Sequence, residues 1–202
     1  MTTILVLDCG VGNLASISAS LRRVGATPKI VSEIPDGGFD GLVIPGVGSY
    51  SAAYVKVRAE RGRIKRLVEE GCPILGICLG LQIMFSWSEE GNPGEEGLSL
   101  FKGVVRRIPC RRLPHIGWSS IEVENGSTVL RGVENGSRMY FAHSYAPFEY
   151  DPEEAFAFTS YGGCRFPVVF EKGNVFGTQF HPEKSWLPGL RVVGNFVDYC
   201  RR

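Results

Sequence analysis

A cysteine flanked by glycines is the feature of this sequence that most directly indicates chemistry. Cys78 lies in Gly76-Ile77-Cys78-Leu79-Gly80, after an apolar run that predicts a buried strand and before a segment that predicts a helix. A nucleophile at such a turn needs a strained backbone with close neighbours, and glycines two residues away on each side remove the steric obstacles. The N–H groups that begin the helix would favour the thiolate and bind an oxyanion. Cys78 is therefore the candidate nucleophile, and a buried structural cysteine is the alternative.

A thiol nucleophile requires a base, and the chain contains only three histidines, His115, His143 and His181. His181 follows an apolar strand-like run and is separated from Glu183 by one proline. Residues two apart in an extended segment point to the same side, so Glu183 can orient His181. Cys78, His181 and Glu183 then provide a nucleophile, a base and an orienting carboxylate, the logic of a catalytic triad. For the His-Pro-Glu tripeptide taken alone, an exposed turn is the alternative.

A glycine-rich loop is the third candidate element. Ile44-Pro45-Gly46-Val47-Gly48-Ser49 comes directly after a predicted buried strand. Parallel strands that end at the same edge of a sheet would bring this loop beside Cys78, where its N–H groups could complete an oxyanion hole. The pattern is weak in isolation, because ordinary turns and phosphate-binding loops look similar.

The elements that must position these residues alternate in the first half of the chain. Short β-rich runs and helical patterns alternate there, which is typical of βαβ units and a parallel sheet. The predicted strands are 3–7, 29–31, 41–44 and 73–77, and the predicted helices are 14–24, about 50–70 and 79–87. The polar, Gly/Pro-containing segment 88–97 predicts a surface loop.

The second half of the chain is richer in strands. Strand-like runs are closely spaced there, which predicts an antiparallel or mixed extension of the sheet, and a helix from about 189 to 199 ends the chain. The runs are 104–108, 118–123, 139–142, 155–159, 165–170 and 175–180. We predict an α/β fold in which helices flank a central mixed, mostly parallel sheet, and we expect residues 1–202 to form one domain.

Charge and composition exclude several classes of function. The 22 Lys and Arg residues balance 21 Asp and Glu residues, so no overall positive field attracts a nucleic acid. No run approaches the roughly 20 apolar residues of a membrane span, and the N-terminus lacks the pattern of a signal peptide. We expect a soluble, cytoplasmic protein. The six cysteines include no Cys-x-x-Cys pair and no close Cys/His cluster, so we predict neither a metal site nor a cofactor.

The three elements together resemble a known family. Pro45-Gly46-Val47-Gly48, Gly76-Ile77-Cys78-Leu79-Gly80-Leu81-Gln82 and His181-Pro182-Glu183 are similar to the motifs of class I (triad) glutamine amidotransferases. Within that class, segments 111–118, 143–145 and 181–185 resemble the glutaminase subunits of imidazole glycerol phosphate synthases. The similarity runs in order along essentially the whole chain, and this collinearity makes it specific.

The resemblance implies roles for individual residues. It implies Cys78 as nucleophile, His181 as base and acid, and Glu183 as its orienting partner. It places the oxyanion near the backbone of Val47, in the Gly46–Gly48 loop, and near that of Leu79, in the turn at Cys78. It also implies that Gln82 and the backbone of Ser144 and Tyr145 bind the α-amino and α-carboxylate groups of glutamine. Gly46 and Gly48 are further substrate-binding residues by the same resemblance, whereas His143 stays outside the catalytic set.

Two surface expectations follow from the same resemblance. His115 and Trp118 correspond to residues at the interface with a partner, although a buried aromatic at a strand end is the ordinary alternative. Ser119 departs from the family, which usually has asparagine after the tryptophan. With serine in place of asparagine, the resemblance does not predict which hydrogen bonds form at that edge.

The implied reaction is hydrolysis of glutamine to glutamate and ammonia. The ammonia would pass by a sheltered path to a (β/α)₈-barrel cyclase that forms imidazole glycerol phosphate in histidine biosynthesis. Three alternatives remain: a glutaminase that serves another synthase, a non-catalytic interaction subunit, and a free-standing cysteine hydrolase. Segments 114–118 and 184–185 argue against the first, and the intact set of Cys78, His181 and Glu183 argues against the second.

Overall fold

The structure, a computed structural model, describes residues 2–10, 13–124 and 126–202. The strands of this part of the chain are β1 (Thr3–Leu7), β2 (Thr27–Val31), β3 (Gly41–Gly46), β4 (Ile74–Cys78), β5 (Val104–Arg107), β6 (His115–Ser120), β7 (Glu122–Val123), β8 (Arg138–His143), β9 (Tyr145–Phe148), β10 (Ala155–Tyr161), β11 (Cys164–Lys172) and β12 (Val175–Thr178). The α-helices are α1 (Leu14–Arg23), α2 (Tyr50–Glu69), α3 (Leu79–Gln82) and α4 (Trp186–Cys200).

An eight-stranded mixed sheet forms the centre of the fold. Its strand order is β2-β1-β3-β4-β12-β11-β10-β7, and the first five strands are parallel. Strands β11, β10 and β7 continue the sheet in antiparallel pairs. Residue Gly46 pairs with Cys78, so the glycine-rich loop and the nucleophile turn leave the sheet at the same edge. This arrangement confirms the predicted mixed, mostly parallel α/β sheet.

Two strand pairs lie outside that sheet, and one of their strands, β9, was not predicted. Strands β5 and β9 pair with each other, as do β6 and β8, in separate two-stranded sheets. The expectation that all the later strands extend the central sheet was therefore wrong. Strands β6 and β8 pair over six residues, with His115 opposite His143. The backbone hydrogen bonds of both strands are thus satisfied without the main sheet.

Helices cover both faces of the sheet because the strands alternate between two apolar cores. In β1, Ile4 and Val6 face one core, and Leu5 and Leu7 face the other. The first core contains the apolar stripes of α1 and α4, and the second contains those of α2 and α3. Strands buried on both faces explain the continuous apolar runs of the first half of the sequence.

The helix after the nucleophile is shorter than predicted. Helix α3 ends at Gln82, whereas the sequence predicted a helix through Trp87. The carbonyls of Ile83 and Met84, which a longer helix would use internally, accept instead from the backbone N–H groups of Leu98 (2.7 Å) and Leu100 (2.8 Å). A distant segment thus replaces the helical hydrogen bonds.

The last helix begins earlier than predicted. Helix α4 starts at Trp186, not near Gly189. Pro188 lies in its first turn, where the missing N–H would have no intrahelical partner, so proline is tolerated there. The N–H of Gly189 then donates to the Ser185 carbonyl at 3.0 Å and continues the helix.

Candidate active site

The backbone at Cys78 has a conformation that few residues other than glycine adopt. Its φ is 54° and its ψ is −106°, a strained region that occurs preferentially at functional sites. The flanking glycines permit the close packing of this turn. A Cβ at Gly80 would lie 1.8 Å from the carbonyl oxygen of Ile44, and one at Gly76 would lie 2.7 Å from the carbonyl oxygen of Gly80. The spacing of the motif therefore has the steric origin that the sequence predicted.

The dipole expected from the following helix is correspondingly small. Only four residues, Leu79–Gln82, are helical, and a macrodipole grows with the number of aligned peptides. Stabilisation of an anion at Cys78 must come from individual donors near the sulfur rather than from a long helix. The amide of Gln179, whose Nε2 lies 3.6 Å from the Cys78 sulfur, is one such donor.

His181 and Glu183 form a buried pair beside Cys78. The His181 Nδ1 lies 2.9 Å from the Glu183 Oε1, and both side chains are almost fully excluded from solvent. The segment Pro182–Lys184 is a 3-10 turn, so the extended backbone assumed from the sequence was wrong, but this turn still brings the two side chains together. Within the described residues the other ring nitrogen, Nε2, has no hydrogen-bond partner, as expected for an atom that exchanges a proton with a substrate or nucleophile.

Opposing effects act on the protonation of His181. Burial by itself lowers the pKa of the imidazole, but interactions with the Cys78 sulfur and with the Glu183 carboxylate outweigh burial and raise that pKa to about 10. A charged imidazolium beside a thiolate is the activated form of a cysteine nucleophile.

The hydroxyl of Ser185 holds the His181 backbone in place. It donates to the His181 carbonyl at 2.6 Å and accepts from the Tyr140 N–H at 2.9 Å. The His181 N–H in turn donates to the Tyr140 carbonyl at 2.9 Å. The backbone of His181 is therefore hydrogen-bonded to β8 twice, directly through its N–H and through the Ser185 hydroxyl at its carbonyl. These bonds limit the positions available to the His181 ring.

A cavity of about 190 Å³ opens in front of the Cys78 sulfur. Most of the residues that the sequence singled out lie on its wall: Val47, Gly48, Cys78, Leu79, Gln82, Ser144 and Tyr145. Gly46 lies behind the wall, where a Cβ would come within 2.7 Å of the Leu79 Cβ. The cavity can hold a small molecule beside Cys78, the candidate nucleophile.

Gln82 is held by the backbone of the segment predicted to bind the substrate. Its Nε2 donates to the Tyr145 carbonyl at 2.9 Å and to the Gln179 Oε1 at 3.1 Å. Gln82 is buried and does not face solvent. Its amide connects the turn after Cys78 to the opposite wall of the cavity.

Two residues of this region were not anticipated. Glu90 lies on the cavity wall in the 88–97 loop, and burial raises the pKa of its carboxyl. An acidic group there could pair with the α-ammonium of an amino acid. Gln179 has a fully buried side chain in contact with Cys78. No motif marks either residue, because a glutamate in a polar loop and a glutamine after a strand are both ordinary.

The other two histidines form a buried hydrogen-bonded pair. His143 Nδ1 donates to the Tyr145 carbonyl (2.8 Å), so its Nε2 must accept from His115 Nδ1 (3.2 Å). Burial lowers the pKa of His143 to about 3 and that of His115 to about 4, which keeps both rings neutral. A neutral His143 with both nitrogens occupied is a structural residue in this geometry.

His115 is not a surface residue, contrary to the expectation that it lies at an interface. Its ring is 1 % exposed and stacks between Phe141 and Tyr161, with centroids 4.6 and 4.0 Å away. Ser119, the position that departs from the family, places its hydroxyl 2.8 Å from the His115 Nε2. Since that nitrogen must accept, serine supplies the donor at this edge.

An apolar surface lies next to the turn that carries His181. Trp118 and Trp186 meet edge to face at 5.6 Å between ring centroids, and Ile116 and Leu187 are also exposed. Ser185, which bonds the His181 carbonyl, lines the groove between the two tryptophans. Exposed apolar patches of this kind mark interaction sites.

Residues 2–10, 13–124 and 126–202 contain neither a metal-binding cluster nor a membrane-spanning helix. No group of three or more His, Cys, Asp or Glu side chains in this part of the chain could hold a metal ion. No helix in the same residues combines the length and apolarity needed to cross a membrane. All six cysteines are free thiols.

Comparison with known sequences identifies relatives along the full chain. Residues 5–198 match the family described as Glutamine amidotransferase class-I. A protein named imidazole glycerol phosphate synthase subunit HisH from Caldanaerobacter subterraneus is 41 % identical over 201 residues, which cover 97 % of this chain and 98 % of that protein. A protein of the same name from Pyrococcus furiosus is 41 % identical over 199 residues, covering 97 % of this chain and 98 % of the relative.

Solved structures share the fold at lower sequence identity. The structure of PurLQS from Thermotoga maritima superposes with a TM-score of 0.79 and 22 % identity, covering 98 % of each chain. A crystal structure described as a glutamine amidotransferase gives a TM-score of 0.78 at 21 % identity, covering 98 % of this chain and 99 % of the other. These likenesses establish the fold alone.

Proposed function

The chain belongs to the class I glutamine amidotransferases and, within them, to the HisH subunits of imidazole glycerol phosphate synthase, and we propose that its catalytic centre is Cys78, His181 and Glu183. The observation that carries this assignment is the strained Cys78 turn at a cavity beside the buried His181–Glu183 pair. The chain is the glutamine amidotransferase component of that synthase, and histidine biosynthesis is its pathway.

The proposed reaction begins with attack of the Cys78 thiolate on the side-chain amide of glutamine. The carbon–sulfur bond forms, and His181 donates its proton to the leaving nitrogen, which departs as ammonia. Water then attacks the thioester while His181 accepts its proton, the carbon–sulfur bond breaks, and glutamate leaves. Glu183 keeps the imidazole in the orientation that both steps require.

The cavity wall supplies the other groups of this proposal. The backbone N–H groups of Val47 and Leu79, with Gly46 and Gly48 allowing the loop to approach, would stabilise the oxyanion. Gln82 and the backbone of Ser144 and Tyr145 would hold the α-amino and α-carboxylate groups. We add Glu90 as an acidic partner for the α-ammonium.

We propose that the ammonia passes to a (β/α)₈-barrel cyclase subunit docked on the surface formed by Trp118 and Trp186. Ammonia released into water near neutral pH would mostly become ammonium, which is not nucleophilic, so a sheltered path is required. The docking surface adjoins the turn that carries His181, so the contact would be near the point of ammonia release. We propose no nucleic acid or membrane partner, a cytoplasmic location, and one domain over residues 1–202.

Labelling with a glutamine-like electrophile tests the proposed nucleophile. A diazoketone analogue of glutamine should modify Cys78 and none of the other five cysteines, as read by peptide mass spectrometry. Cys78→Ala should abolish glutamine hydrolysis, whereas the matched control Cys200→Ala should retain it. Modification of another cysteine, or normal turnover by Cys78→Ala, would remove the assignment.

Glutaminase turnover of the chain alone, with the cyclase, and with the cyclase plus its nucleotide ligand tests the proposed coupling. We expect weak activity alone and stimulation in the complex, because a peptide between two glycines can rotate its N–H toward or away from the oxyanion at low cost. One such donor changes the rate by about 10²–10³-fold. High and equal rates in all three mixtures would indicate a free-standing hydrolase instead.

A further inference from the structure

Gln179 places an amide against the candidate nucleophile. The residue follows β12 directly and precedes His181 by two positions, and its side chain has no exposure to solvent. Its Nε2 lies 3.6 Å from the Cys78 sulfur, and its Oε1 lies 3.1 Å from the Gln82 Nε2. The side chain therefore lies between the nucleophile and a residue of the cavity wall.

The hydrogen bonds decide which end of the Gln179 amide faces sulfur. The Tyr145 carbonyl can only accept, so the group of Gln82 that lies 2.9 Å from it must be the NH₂. The second hydrogen of that NH₂ needs an acceptor, which is the Gln179 oxygen. The Gln179 NH₂ is thus directed at the sulfur, because the reversed amide would set two donors against each other.

The Tyr145 carbonyl, at the end of this series of hydrogen bonds, is itself held in place. The Tyr145 carbonyl accepts from both Gln82 and His143, at 2.9 and 2.8 Å, so both of its lone pairs are occupied. His143 is in turn held by His115. A neutral hydrogen-bond network with all its members paired specifies one geometry.

We propose that Gln179 is a further catalytic residue, whose amide N–H donates to the Cys78 sulfur and stabilises its thiolate form. This inference rests on the proposed role of Cys78. A hydrogen bond to an ionised acceptor is roughly twice as strong as one to a neutral acceptor, so the donor favours the thiolate over the thiol. The Ala142 carbonyl, which also lies near the sulfur at 3.9 Å, is an acceptor and favours the thiol.

The effect bears on both halves of the reaction. Before attack, the donor increases the fraction of thiolate available. In thioester hydrolysis the carbon–sulfur bond breaks and the electron pair returns to sulfur, so the same N–H stabilises the leaving thiolate. His181 acts on protons, whereas Gln179 acts on the sulfur, and the two roles are separable by experiment.

The pH dependence of Cys78 alkylation by iodoacetamide measures this effect. The ionisable groups that face the sulfur are His181, with Glu183 behind it, neutral His143 on β8, and Glu90 across the cavity. These groups are unchanged in Gln179→Met. We expect this variant to shift the midpoint of alkylation upward by about one pH unit, which is about tenfold less thiolate below the midpoint.

A neighbouring substitution controls for loss of a buried hydrogen bond. Thr178→Val removes the hydroxyl of the residue next to Gln179, which is equally buried and donates to the Phe180 carbonyl at 3.0 Å rather than to the Cys78 sulfur. It should leave the midpoint unchanged. In complex with the cyclase, Gln179→Met should also lose kcat near neutral pH and recover much of it at higher pH, which a purely structural defect would not do.

The outcomes distinguish this inference from the proposed function. If Gln179→Met folds poorly, Gln179→Leu removes the same donor with a different shape and is measured in the same way. An unchanged midpoint in the variant that folds, or an equal shift in Thr178→Val, overturns the role of Gln179. Failure of the diazoketone to label Cys78 in the unaltered chain overturns the proposed function instead, because iodoacetamide alkylation does not depend on glutamine turnover.

Discussion

Replacing Gly80 by alanine tests the steric basis of the nucleophile turn. The added Cβ would lie 1.8 Å from the carbonyl oxygen of Ile44, and the two atoms must separate to at least 3.0 Å. The required movement of about 1.2 Å is the difference between these distances. The obstacle is backbone, so rotation of a side chain cannot relieve it, and either β3 or the turn at Cys78 must shift.

The expected cost of Gly80→Ala follows from that movement. Overpacking of a well-packed site costs about 1–3 kcal/mol, and a backbone clash belongs at or above the upper end of that range. A displacement of about 1 Å at a catalytic group can lower the rate by about 10²-fold. We therefore expect a loss of about 3 kcal/mol in the free energy of unfolding, together with a loss of glutaminase activity of about 10²-fold in the cyclase complex.

Gly62→Ala is the matched control for this prediction. Gly62 is exposed within α2, and a Cβ there meets nothing within 4 Å. Alanine should stabilise that helix by roughly 0.5–1 kcal/mol, because it has less backbone entropy to lose. Urea unfolding and glutamine turnover are measured for both variants. Stability within about 1 kcal/mol of the unaltered chain and near-normal turnover in Gly80→Ala would refute the steric argument.

The remaining predictions concern charge. His181→Ala should lose nearly all glutaminase activity, whereas Glu183→Gln should retain more, because removing the orienting acid lowers the rate least among the members of a triad. Steady-state kinetics in the complex measure both variants, and the reverse order of activities would contradict these roles. Burial lowers the pKa of His115 to about 4 and that of His143 to about 3. Below about pH 6.5 the unfolded chain therefore binds more protons than the folded chain does. The contribution of these two histidines to the free energy of unfolding should be fully present above that pH. On acidification it should fall by about 1.4 kcal/mol per pH unit for each histidine. In urea unfolding between about pH 6 and 5, His115→Gln should therefore roughly halve the dependence of the free energy of unfolding on pH. Glu90→Gln should raise the KM for glutamine about 10–100-fold with a smaller change in kcat, as for loss of a charged hydrogen bond, whereas Glu96→Gln at an exposed position should leave both parameters unchanged.

The parts of the site that were predictable from sequence depend on local sterics. The glycines around Cys78 are constraints that neighbouring residues impose on one another. His181 and Glu183 were also paired correctly from their closeness in sequence, although a 3-10 turn and not an extended segment joins them. The sheet edge that unites them follows from parallel pairing. The alternation of strand-like and helical segments therefore predicted the parallel sheet and the edge at which the triad candidates lie.

The parts that were missed depend on contacts distant in sequence. Helix α3 ends early because residues 98–100 donate to the carbonyls of the residues that follow it, and Tyr161 stacks on the buried His115. The direction of the Gln179 amide follows only from hydrogen bonds to residues far from it in sequence. No local propensity contains this information.

The conformation of Cys78 has a consequence for the evolution of the chain. A non-glycine residue at φ 54° and ψ −106° carries a conformational cost of about 1–3 kcal/mol, which glycine would remove. Selection for stability alone therefore favours glycine at position 78, and only selection for the thiol opposes it. In a lineage released from the need for glutamine hydrolysis, this position should be among the first to change, and glycine there would be a molecular record of lost activity.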